Sequence, residues 1–150
     1  MLHINNHEHL SAFIRLNEQW ISEHFALEAV DRALAANPAA IIDDGGFVFT
    51  MTDGEELVGC CALFKCGEDE FELARMAVSP TRRGGGFGRQ LIEVAIAKAT
   101  ELKAKRLYLV SNTKLESAIA LYQKTGFVTT SLGQHPVYAR ANIEMELVLR

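Results

Sequence analysis

Apolar residues recur at helical spacing through residues 7–24, "HEHLSAFIRLNEQWISEH", where Leu10, Phe13, Ile14, Leu16, Trp20 and Ile21 form one stripe. A second, short helix is predicted over "LEAVDRALAAN" and stops at Pro38, which cannot continue it. The pattern then changes. Phe47, Val48 and Phe49, and after them Leu57, Val58, Cys60 and Leu63, flank Asp53-Gly54, and Asp-Gly between apolar runs signals a hairpin. A third strand, "EFELARMAVS", follows the "CGED" turn. From Gly86 to Leu102 the helical period returns, with Phe87, Leu91, Ile92, Ala95, Ile96, Ala99 and Leu102 on one half of the wheel and Arg89, Gln90, Glu93, Thr100 and Glu101 on the other. "RLYLVS" reads as a buried strand and "LESAIALYQKTGF" as a helix ended by Gly126. "FVTTSL" and "NIEMELVL" close the chain as two strands, the last alternating Ile143, Met145, Leu147 and Leu149. The predicted order is α-α-β-β-β-α-β-α-β-β, an α/β sandwich on a mixed sheet rather than a regular βαβ repeat.

Composition adds bounds. The 150 residues suit a single domain spanning 1–150, and 49% apolar with 23% charged residues is a globular balance. A net charge of −4 gives general nucleic-acid binding no support, although Arg82, Arg83 and Arg89 form a local basic cluster. Cys60, Cys61 and Cys66 match no zinc spacing, and they read as small buried apolar residues; the first two, being adjacent, face opposite sides of a strand. His3, His7, His9, His24 and His135 are scattered without a metal pattern, so no metal is expected. The polar N-terminus has no apolar signal-peptide core and no stretch approaches a membrane span, which points to a cytoplasmic protein without a membrane partner.

The chemistry concentrates in "SPTRRGGGFGRQLIEVAI". Gly84, Gly85, Gly86 and Gly88 stand where a strand turns into a helix. A helix N-terminus carries unsatisfied N–H groups and partial positive charge, and a glycine-rich turn lets those groups curl around an anion that side chains would keep out. Arginines at the rim would add charge-assisted bonds. The segment is therefore suited to a phosphate or pyrophosphate. A P-loop requires Gly-Lys-Ser/Thr, where this chain has Gly88-Arg89-Gln90, and a dinucleotide fingerprint requires a glycine where Arg89 stands.

"RMAVSPTRRGGGFGRQLI" resembles motif A of the Gcn5-related N-acetyltransferases (GNAT), with Arg83-Gly84-Gly85-Gly86-Phe87-Gly88 in place of the acetyl-CoA loop. "AIALYQKTGF" is similar to the family's motif B helix, which ends in Tyr-x-x-x-Gly-Phe, and "YARANIEMEL" is similar to its terminal strand. The resemblance implies a GNAT-like three-layer α/β/α sandwich with a centrally splayed sheet. It implies acetyl-CoA as co-substrate, with the main chain of Met76, Ala77 and Val78 pairing with pantetheine amides and a N–H of Met76 or Ala77 polarising the thioester. Arg83, Gly84, Gly85, Gly86, Gly88 and Arg89 would then hold the pyrophosphate. Tyr122 becomes the general acid for the leaving thiolate and Glu72 the candidate base for the amine, directly or through water. Asn112, at the end of "RLYLVSN", is placed at the pantetheine arm or the acceptor. The family's asparagine ahead of the motif B alanine is absent, since Leu115 stands there, and a triple glycine is unusual for the loop.

The implied reaction is acetyl transfer to a primary amine of a small molecule or peptide in a ternary complex. Trp20, Phe25, Glu28, Tyr138 and Arg140 are the candidates for the acceptor side; acidic residues suit a cationic amine and Arg140 a carboxylate-bearing one, so the cues conflict. Edge strands leave room for a homodimer. Two rival readings use the same residues: a catalytically idle coenzyme-A-binding sensor or interaction domain, and a binder of nucleotide phosphates.

Overall fold

The computed structural model describes residues 1–136 and 138–149. Its elements are β1 (Leu2–Ile4), α1 (Leu10–His24), α2 (Ala29–Ala36), α3 (Ala40–Asp43), β2 (Phe47–Asp53), β3 (Glu56–Gly67), β4 (Glu70–Val78), α4 (Phe87–Glu101), β5 (Arg106–Ser111), α5 (Glu116–Lys124), β6 (Val128–Leu132) and β7 (Ile143–Val148), with 3-10 turns at His7–His9 and Pro80–Arg82. Two elements go beyond the predicted order. β1 is too short to show alternation; it exists because it pairs with the edge of β2, Leu2 opposite Met51. α3 is a single turn that buries Ile41 just after Pro38. The first predicted helix begins later than expected, because Asn6 caps a 3-10 turn ahead of Leu10.

The strands form one sheet in the order β1-β2-β3-β4-β5-β7-β6. All neighbours are antiparallel except β4 and β5. α4 and α5 cover one face, where Phe49, Leu63, Phe71, Leu91, Ile92, Leu107, Tyr122, Phe127 and Met145 make the larger core. α1 and α3 cover the other, with Leu10, Phe13 and Leu16 packed over Val48, Cys60 and Ala62. Cys60 and Cys61 divide between these two cores as strand alternation requires. Cys66 departs from the expectation for cysteines: it is exposed near the end of β3, with Sγ 3.2 Å from the Tyr108 hydroxyl. Leu102 also departs, being exposed past the last turn of α4 rather than on its buried stripe. No helix among the described residues is long and apolar enough to cross a membrane.

The parallel pair positions the site. β4 and β5 are in register only at Glu70–Arg106, Phe71–Leu107 and Glu72–Tyr108. Arg106 pins this closed end, contacting Glu70 on β4 and Glu144 and Glu146 on β7. Beyond Glu72 the two strands separate, although β4 continues to Val78 and β5 to Ser111. The centre of the sheet thus opens into a cleft of about 780 Å3.

Candidate active site

β4 changes phase inside the cleft. Ala62 faces Ala74 and Cys60 faces Ala77, so the single residue Cys61 opposes both Arg75 and Met76. This is a β-bulge, and one extra residue exchanges the faces of everything after it. Phe71 and Leu73 belong to the core under α4 and α5; past the bulge Met76 and Val78 pack there, while Ala77 belongs to the core under α1. Arg75 carries the kink with φ +59°. The left-handed region costs a residue with a side chain about 1–2 kcal/mol. The sequence contains the signal: apolar positions run Phe71, Leu73, then Met76, Val78, an alternation that slips by one at Arg75.

Beyond Val78 the chain makes the 3-10 turn and enters α4. Gly84 and Gly86 take φ +83° and +85°, the left-handed region that glycine tolerates. No carbonyl among the described residues accepts a hydrogen bond from the amides of Arg83 through Arg89; the first such bond runs from the Gln90 N–H to the Gly86 carbonyl, at 3.1 Å. A Cβ at Gly84 or Gly86 would meet nothing within 4 Å, so the space outside these amides is open. A run of free N–H groups at the positive end of a 15-residue helix fits a polyanion. The three arginines are already engaged. Arg82 binds Asp53 at 2.6 Å, Arg83 forks onto Glu23 at 2.9 and 3.1 Å, and Arg89 reaches Glu93 at 2.9 Å. All are solvent-accessible pairs, which are weak and readily exchanged.

α5 brings Tyr122 to the cleft from the side of the larger core. Its ring is buried against Phe127, with centroids 6.1 Å apart, and its hydroxyl has no hydrogen-bond partner among the described residues. Burial raises the phenol well above its ordinary range, so it holds its proton. Glu72 reaches the cleft from the opposite face, since its neighbours Phe71 and Leu73 point into the larger core. Burial pushes its carboxyl up to about 7; Glu144 adds to the rise, while Arg75 and Tyr108 oppose it. Asn112 is partly spent on its own loop: its amide donates to the Arg140 carbonyl at 2.8 Å, and its side-chain oxygen accepts from the Lys114 N–H at 3.0 Å. The expected site residues Glu72, Met76, Ala77, Val78, Arg83, Gly84, Gly86, Gly88, Arg89, Asn112 and Tyr122 all line this one cleft, and Gly85 does not.

Trp20, Phe25, Tyr138 and Arg140 line the same cleft, but Glu28 does not. Glu28 caps α2 and accepts from the Ala139 N–H at 2.8 Å and from Arg140 Nη1 at 2.9 Å. Sequence reasoning missed the residue at the centre of this region. Asp31, buried in the first turn of α2, accepts from the Glu28 N–H at 2.7 Å, from Arg75 Nη1 at 2.5 Å and from both terminal nitrogens of Arg140 at 2.7 and 2.8 Å. Arg75 also donates to Asn17 at 3.4 Å, and the Tyr138 ring lies 5.8 Å from the Arg75 guanidinium and 5.2 Å from that of Arg140. Arg140 and Arg75 together balance the charges of Glu28 and Asp31, so the acidic and basic cues meet inside one ion-pair cluster. Nothing in the pattern around "EAVDRAL" marks Asp31 as buried, because the partners that bury it lie far along the chain.

The chain is similar to known proteins in sequence and in fold. The Acetyltransferase (GNAT) family matches residues 6–127. The uncharacterized N-acetyltransferase YvbK of Bacillus subtilis is 34% identical over 67% of this chain and 67% of its own length. An amino-acid acetyltransferase of Neisseria meningitidis is 32% identical over 89% of this chain, which spans only 28% of that protein. Among solved structures, a GNAT-family acetyltransferase of Staphylococcus aureus superposes with a TM-score of 0.87 at 19% identity, covering both chains entirely. The yncA protein of Salmonella typhimurium, a putative acetyltransferase solved with its cofactor acetyl-CoA, superposes with a TM-score of 0.78 at 17% identity over 100% of this chain and 94% of its own. By sequence and by fold, this chain belongs to the GNAT acetyltransferase family.

Proposed function

We propose that the chain transfers an acetyl group from acetyl-CoA to a primary amine of a small molecule or peptide, by direct attack in a ternary complex. The observation that carries this reading is the convergence on one cleft of a proton-holding phenol, a carboxyl poised near neutrality and a strand edge left unpaired by the splay. The free amides of residues 83–89 take the pyrophosphate of coenzyme A, with Arg83 and Arg89 exchanging their carboxylate partners for phosphate oxygens. The edge of β4 from Met76 to Val78 pairs with the pantetheine amides.

An ammonium has no lone pair to attack with, so Glu72 must first take its proton, directly or through a water. A carboxyl near 7 is ionised often enough at neutral pH to do so and is more basic than an ordinary glutamate. The free amine then attacks the thioester carbonyl. A main-chain N–H at Met76 or Ala77 receives the negative charge that develops on its oxygen. As the new C–N bond forms and the C–S bond breaks, Tyr122 gives its proton to the departing sulfur, the attacking nitrogen passes its surplus proton to the Tyr122 phenolate through solvent, and Glu72 releases the proton it first took to bulk water.

The reading is tested by measuring thiol release from acetyl-CoA across small amines, polyamines, amino acids and peptide N-termini. Amine-dependent release is expected, its rate rising through about pH 7 as Glu72 ionises. Binding of acetyl-CoA without release of thiol would instead identify an idle sensor domain. Tyr122→Phe removes a hydroxyl without a protein partner, so the variant is expected to fold normally. It should turn over roughly 10²- to 10⁴-fold more slowly, the usual span for losing a general acid. An unchanged rate across pH would remove Tyr122 from the reaction.

A further inference from the structure

We infer that Arg75 is a positioning residue for acetyl transfer: gripped by Asp31 and Asn17, it locks the left-handed bulge that sets where the β4 main chain enters the cleft. The inference rests on the acetyl-transfer reading and adds to it a residue that touches no reacting atom.

A residue with a side chain at φ +59° stays there only if its surroundings over-determine it. Glycine would adopt that conformation freely, as this chain does at Gly84 and Gly86. An arginine at the bulge is therefore retained for its side chain, and its contacts show what that side chain does. Only 5% of it is exposed. Its guanidinium is held by Asn17 of α1 and Asp31 of α2, and Asp31 is fixed in turn by both terminal nitrogens of Arg140 from the loop before β7. Elements outside the β3–β4 hairpin thus hold the kink in place. Met76 and Ala77, one of which supplies the amide for the developing oxyanion in the proposed reaction, follow it immediately.

Arg75 also acts on the base. Glu72 is faced by Arg75 on its own strand, by Cys66 from β3, Tyr108 from β5, Glu144 from β7 and Tyr138 from the loop before β7. Arg75 is the cation in this set, so its removal moves the ionisation of Glu72 to higher pH. A positional effect and a charge effect are therefore separable: the first appears in the rate on the high-pH plateau, the second in the position of the limb.

Arg75→Ala, Arg75→Gly and Arg75→Lys separate them. Plateau kcat, KM, the pH profile and calorimetric affinity for coenzyme A are measured for each. Alanine loses the grip and keeps the strain, so kcat should fall about 100-fold, as for a misplacement near 1 Å. Affinity for coenzyme A should change little. Glycine also loses the grip but reaches the bulge conformation without strain, and should recover at least a tenth of the wild-type plateau. Both variants should shift the limb upward. Lysine retains the charge on Asp31 and is the fallback if alanine fails to fold; it should leave the limb in place and stay within about fivefold of wild type. Equal plateau rates for alanine and glycine, a loss confined to KM or coenzyme A affinity, or a lysine variant slower than the glycine one would overturn the assignment. A wild-type protein that binds acetyl-CoA but releases no thiol with any amine would overturn the acetyl-transfer reading instead.

Discussion

Asp31 and Glu72 are both carboxylates withdrawn from water, and both lie in the field of Arg75, yet they sit at opposite ends of the carboxylate range. Burial alone would raise each. At Asp31 the bonds from Arg140, from the Glu28 N–H and from Arg75 more than reverse that effect and bring the group to about 2. At Glu72 no arginine comes within ion-pair reach among the described residues, burial prevails, and the carboxyl rises to about 7. The first is a structural charge with its hydrogen-bonding capacity consumed inside the protein. The second retains a capacity that the protein does not use, beside a cleft where a substrate can use it. What distinguishes a structural polar group from a functional one in this molecule is the number of partners already in place, not burial.

The sharpest way to break this comparison is Glu72→Gln. Loss of a general base lowers rates by roughly 10²–10⁴. The rise of the rate through about pH 7 should vanish with it; a pH profile that keeps its limb would assign the base to another residue or to water. The same substitution should stabilise the protein. Because the folded-state pKa lies above the unfolded value, the native protein holds a proton that the unfolded chain releases as pH rises from about 4.5 to 7. Stability is lost across that window, and glutamine at pH 8 should recover about 1–3 kcal/mol, readable in chemical denaturation.

Asp31 should respond in the opposite sense. Asp31→Asn leaves Arg75 and Arg140 without a full counter-charge, and breaking a buried pair in this way costs about 3–5 kcal/mol. In the wild-type protein the stabilisation by Asp31 is complete above its unfolded pKa, near 3.9 for an ordinary aspartate, and disappears as pH falls through about 2. Acid unfolding should therefore steepen below pH 4 in the wild type and lose that component in Asp31→Asn. Equal acid-unfolding curves would show that Asp31 is not the keystone of the cluster.

The two carboxylates also mark what the sequence could reveal. Glu72 was identifiable through the resemblance of its strand and the glycine-rich turn after it to motif A, a short-range pattern, and it lines the cleft. Tyr122 was identifiable through the resemblance to motif B, at a set distance before Gly126-Phe127 on a periodic helix, and it too lines the cleft. Asp31 was not, since its environment is assembled from residues 75 and 140, and no local pattern records pairings of that range. β1 and α3 were missed on similar grounds, one being made by an edge pairing and the other by a single turn after Pro38. The bulge lies between these cases: the slip from Leu73 to Met76 records it, but Arg75 is an unfavourable residue for that backbone, so propensity conceals it. Asn112 illustrates the converse, a polar side chain rightly placed at the cleft whose bonds the loop itself largely consumes.

The smallest effect extends the comparison from carboxylates to glycines. Gly86 is required by the fold itself: at φ +85° an alanine is strained, so Gly86→Ala should cost about 1 kcal/mol with or without ligand. Gly88 has no such requirement. It lies inside the first turn of α4, and an added Cβ would make only ordinary contacts, 3.5 Å from a Leu121 methyl and 4.0 Å from Val78. On folding grounds Gly88→Ala should be neutral or stabilising by up to about 1 kcal/mol, because alanine is the better helix former. If the bare amides of this turn hold a pyrophosphate, the same methyl obstructs the approach and should weaken coenzyme A binding about tenfold, the loss of one hydrogen bond to a charged group. A melting temperature that rises while calorimetric affinity falls would identify Gly88 as a glycine kept for the ligand. Unchanged affinity would place the phosphates closer to Gly84 and Gly86, where the left-handed backbone already favours glycine.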